Sequence, residues 1–232
     1  MAVCRSLILW DIDPTLVDSA GLGRRMYMKA FEAMTGRPLQ HMPDMTGRTD
    51  RAIMRTALEL HGIAQPVEDL ADYFAALTSA AVELRDELRR EGAALPGALS
   101  ALAALAGANS IQTVVTGNLP GVAAVKLRAF GLAGLLDLDI GGYGSDADTR
   151  PPLIRAALER ASRKYDRMFT PHDAVVIGDT PLDVAGAHEV GVFAVAVATG
   201  GSSAEELAAA GADVVIADLT RIAPLIPSII AI

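Results

Sequence analysis

Four carboxylates, a hydroxyl and a guanidinium stand at positions where they could do chemistry together. The segment LILWDIDPTLVDS (7–19) ends an apolar run in Asp11 and places Asp13 two residues later. The run AVVIGD ends in Asp179, with Asp183 one helical turn beyond. VVTGN delivers Thr116, Gly117 and Asn118, and Arg150 stands directly before Pro151, a residue suited to a helix's first turn. Carboxylates crowded at one place repel one another unless something neutralises them. Mg²⁺ does so with oxygen ligands, needs few carboxylates, and keeps positions for water and a phosphate oxygen. A helix starting after Thr116 offers N–H groups to an anion, and Arg150 can add two parallel charge-assisted hydrogen bonds. This set suits phosphoryl chemistry better than carbonyl or redox chemistry.

The elements that must carry these residues follow from hydrophobic patterning. SLILWD (6–11), IQTVVT (111–116), AVVIGD (174–179), VFAVAVAT (192–199) and DVVIAD (213–218) are continuous apolar runs, as strands buried on both faces require. LDLDIGG (136–142) alternates apolar and acidic residues and reads as an edge strand. Helical segments are expected over 98–106, 119–130, 152–164, 181–190 and 204–210, with Gly107, Gly131, Gly191 and Gly211 near their ends. Strand alternating with helix gives an α/β fold with a doubly wound parallel sheet. In such a sheet ligands gather beyond the carboxyl ends of the strands, where these residues fall. Residues 20–91 break the rhythm, with three helices expected over 21–35, 50–61 and 67–90 and no strand. The expected domains are therefore a core of 1–19 and 92–232 and a helical insertion of 20–91.

The bulk numbers exclude several classes. A formal charge of −8 over 232 residues argues against a general nucleic-acid or anionic-membrane surface. Cys4 is the single cysteine, so no intrachain disulfide forms, and a reducing cytoplasm is the expected setting. No apolar run approaches the ~20 residues that span a bilayer, so no membrane partner is expected.

In order and spacing the chain resembles the haloacid dehalogenase superfamily, in the capped branch of phosphoglycolate phosphatases and β-phosphoglucomutases. Four motifs carry the resemblance: D-x-D-x-T as Asp11, Asp13 and Thr15 with trailing Leu16, Asp18 and Ser19; the strand ending in Thr116; a basic residue, best matched by Arg150; and G-D-x-x-x-D as Gly178, Asp179 and Asp183. The resemblance implies a Mg²⁺-dependent phosphatase acting on a small phosphorylated metabolite through an aspartyl-phosphate. It implies Asp11 as nucleophile, Asp13 as acid and base, and metal ligation by Asp11, Asp179 and the Asp13 carbonyl. Thr116, Gly117, Asn118 and Arg150 would then hold the phosphoryl group, with Asp183 behind the metal shell. The insertion would be a cap hinged near Ser19–Gly21 and Gly92–Pro96, with MTGRTD (45–50) offering Gly47, Arg48 or Arg51 to the substrate. The protein would act as a monomer or homodimer.

Alternatives stay open at this level. A phosphomutase would use the same residues. Pro14 stands where the family usually has glycine, and it fixes φ at about −65°. A turn needing positive φ would be distorted, leaving a catalytically weakened phosphate binder; a turn of ordinary φ would not. Asp183 also suits a helix N-terminus, and Arg155 or Lys164 competes with Arg150 for the basic role. His41, His61, His172 and His188 have no metal-ligand spacing, and Trp10 reads as core.

Overall fold

A computed structural model describes residues 6–63, 70–108 and 110–225. Cys4 and residues 67–69 of the third expected helix lie outside the described residues. In chain order the elements are β1 (Leu7–Trp10), β2 (Val17–Asp18), α1 (Leu22–Thr35), α2 (Asp50–Leu60), α3 (Ala71–Glu83), α4 (Arg85–Glu91) and β3 (Ala93–Ala94). There follow α5 (Ala98–Gly107), β4 (Ile111–Val114), α6 (Pro120–Ala129), α7 (Arg150–Lys164), β5 (Ala174–Gly178), α8 (Pro181–Val190), β6 (Phe193–Val197), α9 (Ala204–Ala209) and β7 (Val214–Ile216). The larger sheet is parallel with order β4-β1-β5-β6-β7, and β2 pairs antiparallel with β3.

The apolar runs become strands because helices cover both faces of the sheet. Within β1, Ile8 and Trp10 enter one core cluster while Leu7 and Leu9 enter the other, the two-residue alternation of a pleated strand. All four side chains are fully buried. Trp10 is a core residue, as its sequence context suggests, and its Nε1 donates to Gln112 Oε1 at 3.1 Å. A third apolar cluster joins α1, α2 and α3, and Leu119 and Val122 at the start of α6 contribute to it.

Three details differ from the sequence reading. The edge strand expected over 136–142 is instead a 3₁₀ turn at Leu138–Ile140, and only Gly142 makes a single parallel bridge, to Val115. Asp137 and Asp139 there take both hydrogen bonds of the Lys164 ammonium, so their alternation with leucines marks an ion-pair site. The third helix is broken at Leu84 into α3 and α4. Gly131, Gly191 and Gly211 are left-handed as expected, whereas Gly107 is the last residue of α5 itself.

The register fixes the site. Trp10 pairs with Val114 on one side and Ile177 on the other. The chains that leave β1, β4 and β5 therefore emerge side by side, carrying Asp11, Thr116 and Asp179. The Asp11 amide donates to Ile177 O at 2.8 Å, and the Val115 amide donates to Trp10 O at 2.8 Å.

Candidate active site

Asp11, Asp13, Thr116, Gly117, Asn118, Arg150 and Asp179 line one cavity of about 460 Å³ at the carboxyl end of the sheet. Gly47, Arg48 and Asp50 close it from the side of α2. Asp11 is buried, and its Oδ1 accepts from Arg150 Nη1 at 3.0 Å. Arg150 is the first residue of α7, and neither Arg155 nor Lys164 reaches the cavity. Its Nε lies 3.1 Å from Asp183 Oδ1, and its Nη1 also donates to Val115 O at 3.1 Å. The guanidinium is thus clamped between two buried carboxylates. Burial alone would lower its pKa, but Asp11, Asp183 and Asp179 reverse that and raise it. This arginine stays charged.

Asp183 forms the helix cap that one reading expects, and it also faces Arg150. Its Oδ2 accepts from the Thr180 hydroxyl at 2.6 Å and from the Thr180 amide at 3.2 Å, closing a capping box over Pro181 at the start of α8. Its Oδ1 holds Arg150.

Asp179 is held differently. The Thr15 hydroxyl donates to its Oδ1 at 2.9 Å, while its Oδ2 is buried and has no hydrogen-bond partner among the described residues. Carboxylate oxygens of Asp11, Asp179 and Asp183 lie within 4.8 Å of one another. Burial raises the pKa of Asp179, and the charges of Asp11 and Asp183 raise it further against Thr15 and Arg150. Burial likewise raises Asp11, with Arg150 opposing and Asp183 and Asp13 adding. A partnerless buried oxygen and two carboxylates pushed toward protonation are what a cation would relieve. Glycine at 200 keeps the place open: a Cβ there would stand 2.0 Å from Asp179 Oδ2. The donor set is all oxygen, so the residues fit a hard divalent cation.

Asp13 has three partners. Its Oδ1 accepts from the Ser19 hydroxyl, and its Oδ2 accepts from Asn118 Nδ2 at 2.7 Å and from Lys126 Nζ at 2.6 Å. Lys126 also donates to Asn118 Oδ1 at 2.8 Å. Burial works to raise the pKa of Asp13, but Lys126, Ser19 and Asn118 together bring it below the ordinary value. Lys126 was not foreseen. It sits on α6 among Val122, Ala123 and Leu127, all buried, so a charged residue on an apolar stripe was the signal available.

Asn118 Nδ2 and the Asn118 amide both donate to Thr116 Oγ1, at 3.0 and 3.2 Å, so the threonine can turn its own proton outward. Gly117 permits a close approach: a Cβ there would meet Arg48 O at 2.1 Å. The Gly117 carbonyl accepts the Asp50 amide at 2.7 Å. Asp50, also unforeseen, is buried and accepts from the Tyr27 hydroxyl at 2.5 Å and from the Leu119 amide at 2.7 Å, joining α1, α2 and α6.

The 45–50 turn lies against the cavity. Gly47 has φ of 64° and its carbonyl accepts from Arg150 Nε at 3.3 Å. Arg48 lines the cavity, while its guanidinium bonds to Asp44 O, Ala52 O and the Thr56 hydroxyl. Arg51 instead pairs with Asp148 at 3.2 Å, outside the cavity lining. The Asp13–Pro14 peptide is cis, and among the described residues the non-glycine positions with positive φ, Ala20 and Asp166, lie outside this turn. The four histidines do not line the cavity.

Comparison with known proteins bears on the family and the fold. The family model of haloacid dehalogenase-like hydrolases matches residues 8–188. A phosphoglycolate phosphatase of Caulobacter vibrioides is 28% identical over 218 residues, covering 90% of this chain and 85% of that one. The crystal structure of CbbY from Rhodobacter sphaeroides in complex with phosphate superposes with a TM-score of 0.71 at 22% identity, covering 94% of this chain and 96% of that one. A hydrolase from Pseudomonas syringae gives a TM-score of 0.66 at 23% identity, covering 97% of this chain and 98% of that one. At these identities the two structures speak for the fold. No helix among the described residues is long and apolar enough to cross a membrane.

Proposed function

The chain belongs to the haloacid dehalogenase-like hydrolases, and on that premise we propose that it is a Mg²⁺-dependent phosphatase acting on a small phosphorylated metabolite. The observation that carries this reading is the pair Asp11 and Asp179. Both are buried on adjoining strand ends, one is held by Arg150, and the other keeps an oxygen with no hydrogen-bond partner.

In the proposed reaction an Asp11 oxygen attacks phosphorus, the bond to the leaving alcohol breaks, and Asp13 protonates that alcohol. Water then attacks the aspartyl-phosphate with Asp13 accepting its proton. Arg150 fixes the Asp11 carboxylate through Oδ1, which limits its freedom to rotate away from the attack line. The Thr116 hydroxyl, with neighbouring amides at Gly117 and Asn118, is placed to donate to the phosphoryl oxygens. Bound Mg²⁺, held by Asp11, Asp179 and the Asp13 carbonyl, supplies charge screening between carboxylates and a phosphate dianion. Asp183 would act at one remove, by orienting the Arg150 that holds Asp11. A phosphate dianion arriving beside Asp13 works against the lowering caused by Lys126 and favours the protonated form needed for the first step.

Residues 20–91 act as a cap in this reading, excluding water and contacting the leaving group through the 45–50 turn. The β2–β3 pair stands where both connections cross, with Gly21 at φ of 77° beside it. The test is release of inorganic phosphate from 4-nitrophenyl phosphate with and without Mg²⁺. The reading expects release by the native chain, none by Asp11→Asn, and none in chelator. Metal-independent release, or an active Asp11→Asn, would overturn it.

A further inference from the structure

We propose that Lys126 selects which oxygen of Asp13 carries the transferred proton, and is thereby a positioning residue for leaving-group protonation. The inference rests on the reading of Asp13 as the acid and base, and it adds a residue that the motif set does not contain.

Donors and acceptors around Asp13 decide which oxygen holds the proton. A lysine ammonium has three protons and no acceptor site. The orientation of the Asn118 amide is fixed by Lys126, whose Nζ donates to Asn118 Oδ1 at 2.8 Å and so leaves Nδ2 to face Asp13 Oδ2 at 2.7 Å. Asp13 Oδ2 therefore meets two groups that can only donate, and a proton placed on it would face two others. Asp13 Oδ1 meets the Ser19 hydroxyl, which can donate to a carboxylate or accept from a carboxylic acid. The proton can reside only on Oδ1.

Burial makes this selection firm. The Lys126 side chain is 6% exposed and lies on the apolar stripe of α6, so its ammonium has little water to turn to. The Asp13 side chain is 27% exposed, and it lines the cavity. Lys126 and Asn118 thus occupy Oδ2, and Oδ1, which meets Ser19, is the oxygen whose proton can be exchanged with substrate. In the step itself the proton on Oδ1 passes to the leaving oxygen as the phosphorus–oxygen bond breaks and its electron pair goes to that oxygen. Asp11 forms the new bond to phosphorus. Without Lys126 the amide of Asn118 can turn over, either oxygen of Asp13 can hold the proton, and the acid is no longer aimed.

A good leaving group needs no proton, and a poor one does. The experiment therefore measures kcat/KM, which reports the first phosphoryl transfer, for 4-nitrophenyl, phenyl and a simple alkyl phosphate. It compares the native chain with Asp11→Asn, Asp13→Asn, Lys126→Met and Lys126→Arg. General acids contribute about 10²–10⁴-fold, so Lys126→Met should lose on the order of 10²-fold with the alkyl ester and less than about tenfold with the nitrophenyl ester. Lys126→Arg should recover most of the loss, because it restores a buried donor-only cation. If Asp13→Asn shows the graded loss but Lys126→Met falls equally on all three esters, or on none, the inference fails and the acid–base reading stands. If Asp13→Asn is itself ungraded, the reading fails and takes the inference with it. Thermal unfolding monitors folding of each variant; should Lys126→Met not fold, Lys126→Arg against Lys126→Gln makes the same comparison.

Discussion

The Thr15 hydroxyl donates to Asp179 across a sequence separation of 164, and it takes only Oδ1, leaving Oδ2 buried and without a hydrogen-bond partner among the described residues. The contact pins Asp179 at the end of β5 beside Asp11 at the end of β1. One motif thereby orients another, and the oxygen left over points to a cation.

The sign of the pH effect follows from the raised carboxylates. Burial and mutual repulsion carry Asp11 from 3.8 to about 7 and Asp179 from 3.8 to about 8. In the metal-free chain the folded state then holds protons that the unfolded state has released. Stability falls as pH rises from the ordinary carboxylate value through those raised values. A cation that replaces the protons must stabilise more where they are absent. Calorimetry should find a larger rise in Tm on adding Mg²⁺ at about pH 8 than at about pH 5. An equal or larger rise at the acid end would contradict this.

Gly200→Ala tests the same space by filling it. The added Cβ would lie 2.0 Å from Asp179 Oδ2, and the backbone there is not left-handed, so the damage is steric and local. The variant should fold, lose the Mg²⁺-dependent rise in Tm, and lose activity. Unchanged Mg²⁺ response in thermal melts would place the cation elsewhere.

Arg150→Met leaves Asp11 and Asp183 buried without their shared cation. Breaking a buried pair by removing one partner costs about 3–5 kcal/mol, and urea unfolding should show a loss of that order. Arg150→Lys keeps the charge but cannot span both carboxylates as a planar fork does, so it should recover stability only in part. A silent Arg150→Met would mean that the clamp contributes nothing.

Pro14→Gly addresses the departure from the family's usual turn. With proline in place Asp11, Asp13 and Asp179 already line one cavity, and Asp13 is held by Ser19, Asn118 and Lys126. The substitution should change kcat by no more than a few-fold. A large gain in steady-state turnover would show that proline weakens the acid–base step.

The fold was legible where burial is simple. β1, β4, β5, β6 and β7 read as continuous apolar runs because both faces of a parallel sheet are covered, and their polar ends mark the crevice. Asp11, Thr116 and Asp179 could be named from those ends, and Arg150 from its place directly before Pro151. Patterning failed at 136–142, where Asp137 and Asp139 alternate with leucines in order to bind Lys164 in a 3₁₀ turn. The partners that orient the site were harder to see, since they reach it through the fold. Lys126 is 113 residues from Asp13, and Asp50 is 69 residues from Leu119. Each is a charged residue on a buried face, a signal that identifies a candidate without naming its partner.

The central claim is that Asp11 attacks phosphorus. Its most direct test is acid quenching of the native chain during turnover of a phosphate ester with Mg²⁺, followed by mass mapping of the peptide that contains Asp11. The account predicts the added mass of one phosphoryl group on that residue, absent from Asp11→Asn. A phosphoryl group found on another residue, or an Asp11→Asn variant that turns over as the native chain does, would contradict it.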